Sequence, residues 1–166
     1  MERNLTEVIY GSGSGKTAMA VGKCLRASLQ GKSVIVIHFL KGSERGETDI
    51  LEELKDFDIK TFRFEKQDAF YQELSDQEKE EERVNIQNGL NFARKVIATR
   101  ECDFLVLDEL LGVIDMGIAL KETIMDVLSA RDGSMEIIMT GTNMPGWMTE
   151  LVDQVTRVTT EVLTEA

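Results

Sequence analysis

The run Val8-Ile9-Tyr10 empties into Gly11-Ser12-Gly13-Ser14-Gly15 and closes on Lys16-Thr17. No other stretch of the chain restricts its fold as much. Glycines at alternate positions let backbone N–H groups turn inward and converge on an anion. Lys16 adds a point charge for outer phosphates, and the Thr17 hydroxyl suits Mg²⁺. Such a cradle needs a strand before it and a helix after it. The helix is supported by Val21, Cys24, Leu25 and Leu29, which fall at i, i+3, i+4 and i+8 as one apolar stripe, with Gly31 as its stop. Tyr10 stands where a strict G-x-x-x-x-G-K-[ST] pattern has its first glycine, so that glycine is displaced by one, to Gly11.

Strands and helices alternate from there on. Within a strand expected from Ser33 to Leu40, Val34-Ile35-Val36-Ile37 is apolar without a break, as in a parallel strand covered on both faces. Its carboxyl end delivers His38, Lys41 and Gly42. Ile59 to Phe64 mixes Lys60 and Arg63 with aromatics and suits a strand near an edge. Ser75-Asp76-Gln77-Glu78 has the form of a capping box. It opens a long helix with Ile86, Leu90, Ala93 and Ile97 on its buried face and the acidic run Asp76 to Arg83 on its solvated side. Phe104-Leu105-Val106-Leu107 is a buried strand ending in Asp108-Glu109. A helix carrying Leu120, Ile124, Val127 and Leu128 follows, then a strand from Met135 to Thr140 stopped by Gly141. Pro145 suits the first turn of a helix, and Val155 to Val162 a last strand.

This alternation predicts an α/β fold with a mostly parallel central sheet of about six strands and ligands at their carboxyl ends. With 166 residues, 42% of them hydrophobic, the chain suits a single domain over residues 1–166. Its 19 basic and 30 acidic residues give a net charge of −11, which repels a polyanion and argues against a nucleic-acid partner. Cys24 and Cys102 have no metal or disulfide spacing and read as packing residues in a reducing compartment. No apolar run reaches membrane-spanning length and Met1-Glu2-Arg3-Asn4 opens no signal peptide, so a soluble, cytoplasmic protein is expected, with no membrane partner.

A carboxylate at the tip of a buried strand reaches a Mg²⁺ held by the Thr17 hydroxyl, which makes Leu107-Asp108-Glu109 the second half of a nucleotide site. Two strands fit between the two motifs, which resembles the RecA-like branch of P-loop proteins. Glu109 then has two candidate roles, metal ligand or activator of water. Four segments taken together resemble the corrinoid adenosyltransferases of the BtuR/CobO/CobP type. They are Gly11 to Thr17, His38-Phe39-Leu40-Lys41-Gly42 with Gly46-Glu47, Leu107-Asp108-Glu109, and Ile137-Ile138-Met139-Thr140-Gly141 followed by Asn143-Met144-Pro145. The match is collinear from about Val8 to about Val158.

The resemblance implies transfer of the 5′-deoxyadenosyl group of ATP to the cobalt of a reduced corrinoid, with release of triphosphate. Cobalt(I) is itself the nucleophile, so the protein's task is to grip the leaving group and align C5′. By position, Gly11, Ser12, Gly13, Ser14 and Gly15 supply backbone donors and Lys16 the charge. Thr17 and Glu109 ligate Mg²⁺ with Asp108 beside them, Ala18 belongs with the nucleotide-binding loop, and Lys41 approaches the nucleotide or the edge of the pocket. Phe70 and Tyr71 stand in the region where relatives pack aromatics against the corrin, although the usual Gly-Phe-Thr-Trp is not there. His38 reads as a satisfied residue beside the sheet rather than a cobalt ligand. A reductase partner and a homodimer are further implications.

Three departures bear on activity. Relatives carry Lys where Ser14 stands, a second Thr where Ala18 stands, and Thr-Gly-Arg where this chain has Thr140-Gly141-Thr142. Each missing charge-assisted contact costs on the order of 1.5 to 3 kcal/mol. With little chain before the first strand or after the last, the segments that cover the corrinoid are expected to be short. Two other readings therefore stand beside the transferase: a non-catalytic nucleotide- or corrinoid-binding relative, and a RecA-like ATPase using Glu109 on water.

Overall fold

A computed structural model describes residues 4–40, 51–64 and 71–164. The order of elements is β1 (Thr6–Tyr10), α1 (Lys16–Leu29), β2 (Val34–His38), β3 (Ile59–Arg63), α2 (Asp76–Thr99), β4 (Phe104–Asp108), α3 (Leu110–Asp115), α4 (Lys121–Leu128), β5 (Glu136–Gly141) and β6 (Gln154–Arg157). Short 3₁₀ turns cover Tyr71–Glu73 and Gly146–Glu150.

All six strands are parallel, in the order β3-β2-β4-β5-β1-β6. The strand that feeds the glycine loop and the strand that ends in Asp108 are thus separated by β5, as in a RecA-like P-loop fold. Alternation along the buried strands divides the molecule into three layers. Ile9, Val34, Val36, Val106 and Ile138 pack with Ala20, Cys24 and Ala27 of α1 on one face. Val8, Ile35, Ile37, Leu105, Leu107 and Ile137 pack with α2, α3 and α4 on the other.

The long helix starts where the capping box places it. Ser75 Oγ accepts from the Glu78 N–H at 3.2 Å, and the Glu78 carboxylate accepts from the Ser75 N–H at 2.8 Å. Its buried face includes Ile86, Leu90, Ala93 and Ile97, but within the acidic run Glu82 is buried as well, with an interaction of its own. Of the stripe expected on α1, Val21, Cys24 and Leu25 pack on the core and Leu29 does not. Ala20, Cys24 and Ala27 are the helix's buried residues, while Leu29 is 75% exposed. Small side chains let the helix lie close on the sheet, and its C-terminal turn carries Leu29 away from the core. Gly31 ends it at φ +81°, with the Lys32 N–H bonded to the Ala27 carbonyl at 3.1 Å, a Schellman closure.

Strand β6 stops at Arg157 rather than Val162, which is 81% exposed. Among the described residues it pairs only with β1, and β1 ends at Tyr10 where the glycine loop turns away. Pro145 precedes a 3₁₀ turn instead of opening an α-helix. The apolar residues after Glu109 form α3, a helix the sequence pattern does not separate from the strand before it. Among the described residues no helix is long and apolar enough to cross a membrane.

Gly141 ends β5 directly beneath α3. A Cβ there would lie 2.3 Å from Leu111 Cβ, in a core position with no free space. Gly141→Ala is expected to destabilise the protein by about 1–3 kcal/mol through overpacking. Urea unfolding measures it, and a midpoint equal to that of the parent would contradict this packing.

Candidate nucleotide site

Parallel register decides which side chains meet at the carboxyl edge. Val36, Val106 and Ile138 all face α1, so two residues later His38, Asp108 and Thr140 face α1 as well, now at the ends of β2, β4 and β5. His38 and Asp108 are register partners. His38 Nδ1 and Asp108 Oδ2 are hydrogen-bonded at 2.9 Å, and the Thr140 hydroxyl donates to Asp108 Oδ1 at 2.9 Å. The backbone N–H of Glu109 donates in turn to Thr140 Oγ1 at 3.0 Å. All three side chains are buried. His38 is thus tied to the sheet at one nitrogen, while its Nε2 is buried without a hydrogen-bond partner among the described residues.

The glycine loop lies beside this chain of bonds. Gly11 (φ +135°) and Gly15 (φ +95°) take left-handed conformations that turn the loop into the start of α1. Lys16 Nζ reaches back over the loop and donates to the carbonyls of Gly11 at 2.6 Å and Gly13 at 2.9 Å. Its charge is therefore held at the loop's mouth before any anion arrives. Ser12, Ser14 and Ala18 are exposed around it. The Gly11 N–H donates to the Thr142 carbonyl at 3.1 Å, so Thr142 adjoins the loop directly.

Thr17, His38, Asp108 and Cys24 line one small cavity of about 10 Å³, roughly the room of one water. Glu109 is not among the residues lining it. Glu109 caps α3 with a left-handed backbone at φ 62°, unusual for a residue with a side chain, and its Oε2 would be 3.2 Å from a Cβ on Gly112. The two carboxylates of Asp108-Glu109 thus part: Asp108 faces Thr17 and α1, Glu109 the first turn of α3. Among the described residues no three His, Cys, Asp or Glu side chains form a metal cluster. A hydroxyl and one or two carboxylates fit Mg²⁺ nonetheless, because that ion completes its shell with substrate phosphates and waters.

Cys24 and Cys102 are buried and free, and burial pushes both thiols up to about 12, as expected of packing residues. Tyr71 packs at the edge of the core beside α2. Its hydroxyl accepts from Arg83 Nε at 3.0 Å, and the Lys79 ammonium stands 5.7 Å from its ring centre. Phe70, Lys41, Gly42, Gly46 and Glu47 lie outside the described residues. The sequence pattern misses the partnership of His38 and Thr140 with Asp108. Its one available signal is that both are polar residues directly after a run of apolar strand residues, Val34 to Ile37 and Ile137 to Met139.

Comparison with known proteins agrees with this geometry. Residues 2–162 match the family described as ATP:corrinoid adenosyltransferase BtuR/CobO/CobP. The corrinoid adenosyltransferase CobA of Salmonella typhimurium is 28% identical over 159 residues, covering 95% of this chain and 77% of that protein. The corrinoid adenosyltransferase of Escherichia coli K12 has the same identity and coverage. With a match spanning nearly its whole length, a glycine-rich loop after β1 and Asp108-Glu109 where β4 ends, the chain belongs to the ATP:corrinoid adenosyltransferase family BtuR/CobO/CobP.

Proposed function

We propose that this chain transfers the 5′-deoxyadenosyl group of ATP to the cobalt(I) of a reduced corrinoid, using the loop from Gly11 to Thr17 to hold the triphosphate. What carries this reading is Lys16, fixed over the loop by two carbonyls with Thr17 and Asp108 on one cavity behind it. The electron pair of cobalt(I) forms the bond to C5′, and the C5′–O pair leaves with the three phosphates as one piece. Catalysis then consists of neutralising the leaving group and aligning C5′, which needs no protein nucleophile. Mg²⁺ held by Thr17 with Asp108 or Glu109 would supply further charge to the leaving triphosphate.

Lys41 toward the nucleotide and Phe70 with Tyr71 toward the corrin belong to this proposal through the family resemblance. So do a homodimer, a reductase partner and a cytoplasmic setting. Spectra of an anaerobic mixture of protein, MgATP and chemically reduced corrinoid test the reading: conversion to an alkylated corrinoid supports it, and an unchanged spectrum overturns it.

Within that assay Glu109→Gln is expected to lower Mg²⁺-dependent turnover about tenfold or more while leaving the unfolding midpoint in place, since the change is nearly isosteric. Unaltered turnover across a Mg²⁺ titration would remove Glu109 from the site.

A further inference from the structure

Residues 158–160 run from the end of β6 across the glycine loop. The Val158 carbonyl accepts from the Gly13 N–H at 3.0 Å. Thr160 Oγ1 accepts from the Ser14 N–H at 3.0 Å, and Ser14 Oγ lies 3.4 Å from the same oxygen. The approach is close. A Cβ on Gly11 would come within 2.1 Å of the Val158 carbonyl oxygen, and one on Gly13 within 2.9 Å of Thr159 Cα. Both positions therefore need glycine for the sake of this segment as well as for an anion.

The N–H groups in the middle of such a loop are the donors that wrap a phosphate. Each has one proton, so Gly13 and Ser14 cannot serve both the segment and a phosphate with full hydrogen bonds. An acceptor oxygen 3.0 Å from the Ser14 N–H stands where a phosphate oxygen would stand. We propose that Val158, Thr159 and Thr160 form a strap that competes with triphosphate for the loop, and that the Thr160 hydroxyl sets the affinity for ATP by holding the Ser14 donor. This inference rests on the reading that the loop binds the triphosphate of ATP.

The exchange favours the substrate. A charged phosphate oxygen replaces a neutral hydroxyl, and charge-assisted hydrogen bonds are roughly twice as strong as neutral ones. Thr160 is exposed and lies beyond the Val158 N–H, which donates to the Tyr10 carbonyl of β1 at 2.7 Å, so releasing Thr160 leaves that bond in place. The strap thereby lowers affinity without blocking the site, and it shields the loop's donors until a triphosphate displaces it.

Calorimetry with MgATP and with inorganic tripolyphosphate tests this on the full chain, its Thr160→Val variant and its Thr160→Ser variant. Valine keeps the shape and loses the hydroxyl; serine keeps the hydroxyl. Thr160→Val is expected to bind both ligands about three- to tenfold more tightly, the size of one neutral hydrogen bond removed from the competing state. Thr160→Ser is expected to match the parent. In the ligand-free proteins the Ser14 amide proton should exchange faster with solvent in Thr160→Val than in the other two. Equal or weaker binding by Thr160→Val would overturn the strap and leave the nucleotide reading standing. No binding by any of the three proteins would overturn the nucleotide reading and the strap with it.

Discussion

Replacing Lys16 with alanine is expected to weaken MgATP binding by about a hundredfold, the equivalent of one or two lost charge-assisted contacts. The size follows from geometry. Lys16 Nζ is held 2.6 Å and 2.9 Å from the carbonyls of Gly11 and Gly13, so little ordering remains when a phosphate arrives. The surrounding charge works in the same direction. At a net charge of −11 the chain as a whole repels ATP, and binding depends on local cations. Calorimetry measures the loss, and an affinity within a factor of two of the parent would show that Lys16 holds no phosphate.

Asp108→Ala is expected to cost about 2–5 kcal/mol of folding stability, because it strips the partner from two buried groups at once. Among the described residues His38 would keep no partner on either ring nitrogen, since Nε2 already has none there, and the Thr140 hydroxyl would lose its acceptor. The effect also reaches function. Thr140 accepts the N–H of Glu109, so loosening Thr140 releases the residue whose left-handed backbone sets the direction of α3. Asp108→Asn keeps the shape and should lose less. Urea unfolding of both variants checks this, and a loss under about 1 kcal/mol for Asp108→Ala would mean that the buried chain of hydrogen bonds contributes little.

What the residues disclose in advance is whatever depends on neighbours in sequence. The glycine loop, the capping box at Ser75, the continuous apolar strands and the Asp108-Glu109 pair all have local physical causes, and all stand where the pattern places them. What depends on register or sheet order is not local. His38 meets Asp108 because β2 and β4 are neighbours, and Thr140 joins them because β5 lies on the other side of β4. Thr160 meets Ser14 across 146 residues, through the placement of β6 at the edge beside β1. The stripe on α1 is legible at Val21, Cys24 and Leu25, which pack on the sheet, but not at Leu29, which turns to solvent. The most deeply buried positions are the small residues Ala20 and Ala27 on either side of Cys24, because close packing on a sheet favours small side chains. The break between β4 and α3 lies at Glu109, a non-glycine residue at positive φ, and such turns leave no mark in composition.

The bond that breaks in ATP distinguishes this account from hydrolysis by a RecA-like ATPase. Attack of cobalt(I) on C5′ releases all three phosphates together, whereas water positioned by Glu109 would cut between phosphates. Phosphorus NMR of an anaerobic reaction with MgATP and chemically reduced corrinoid reads the products directly. The expected result is inorganic triphosphate, formed in step with a light-sensitive cobalt–carbon bond and scarcely at all when the corrinoid is withheld. Steady formation of ADP and phosphate at the same rate with or without corrinoid would contradict it.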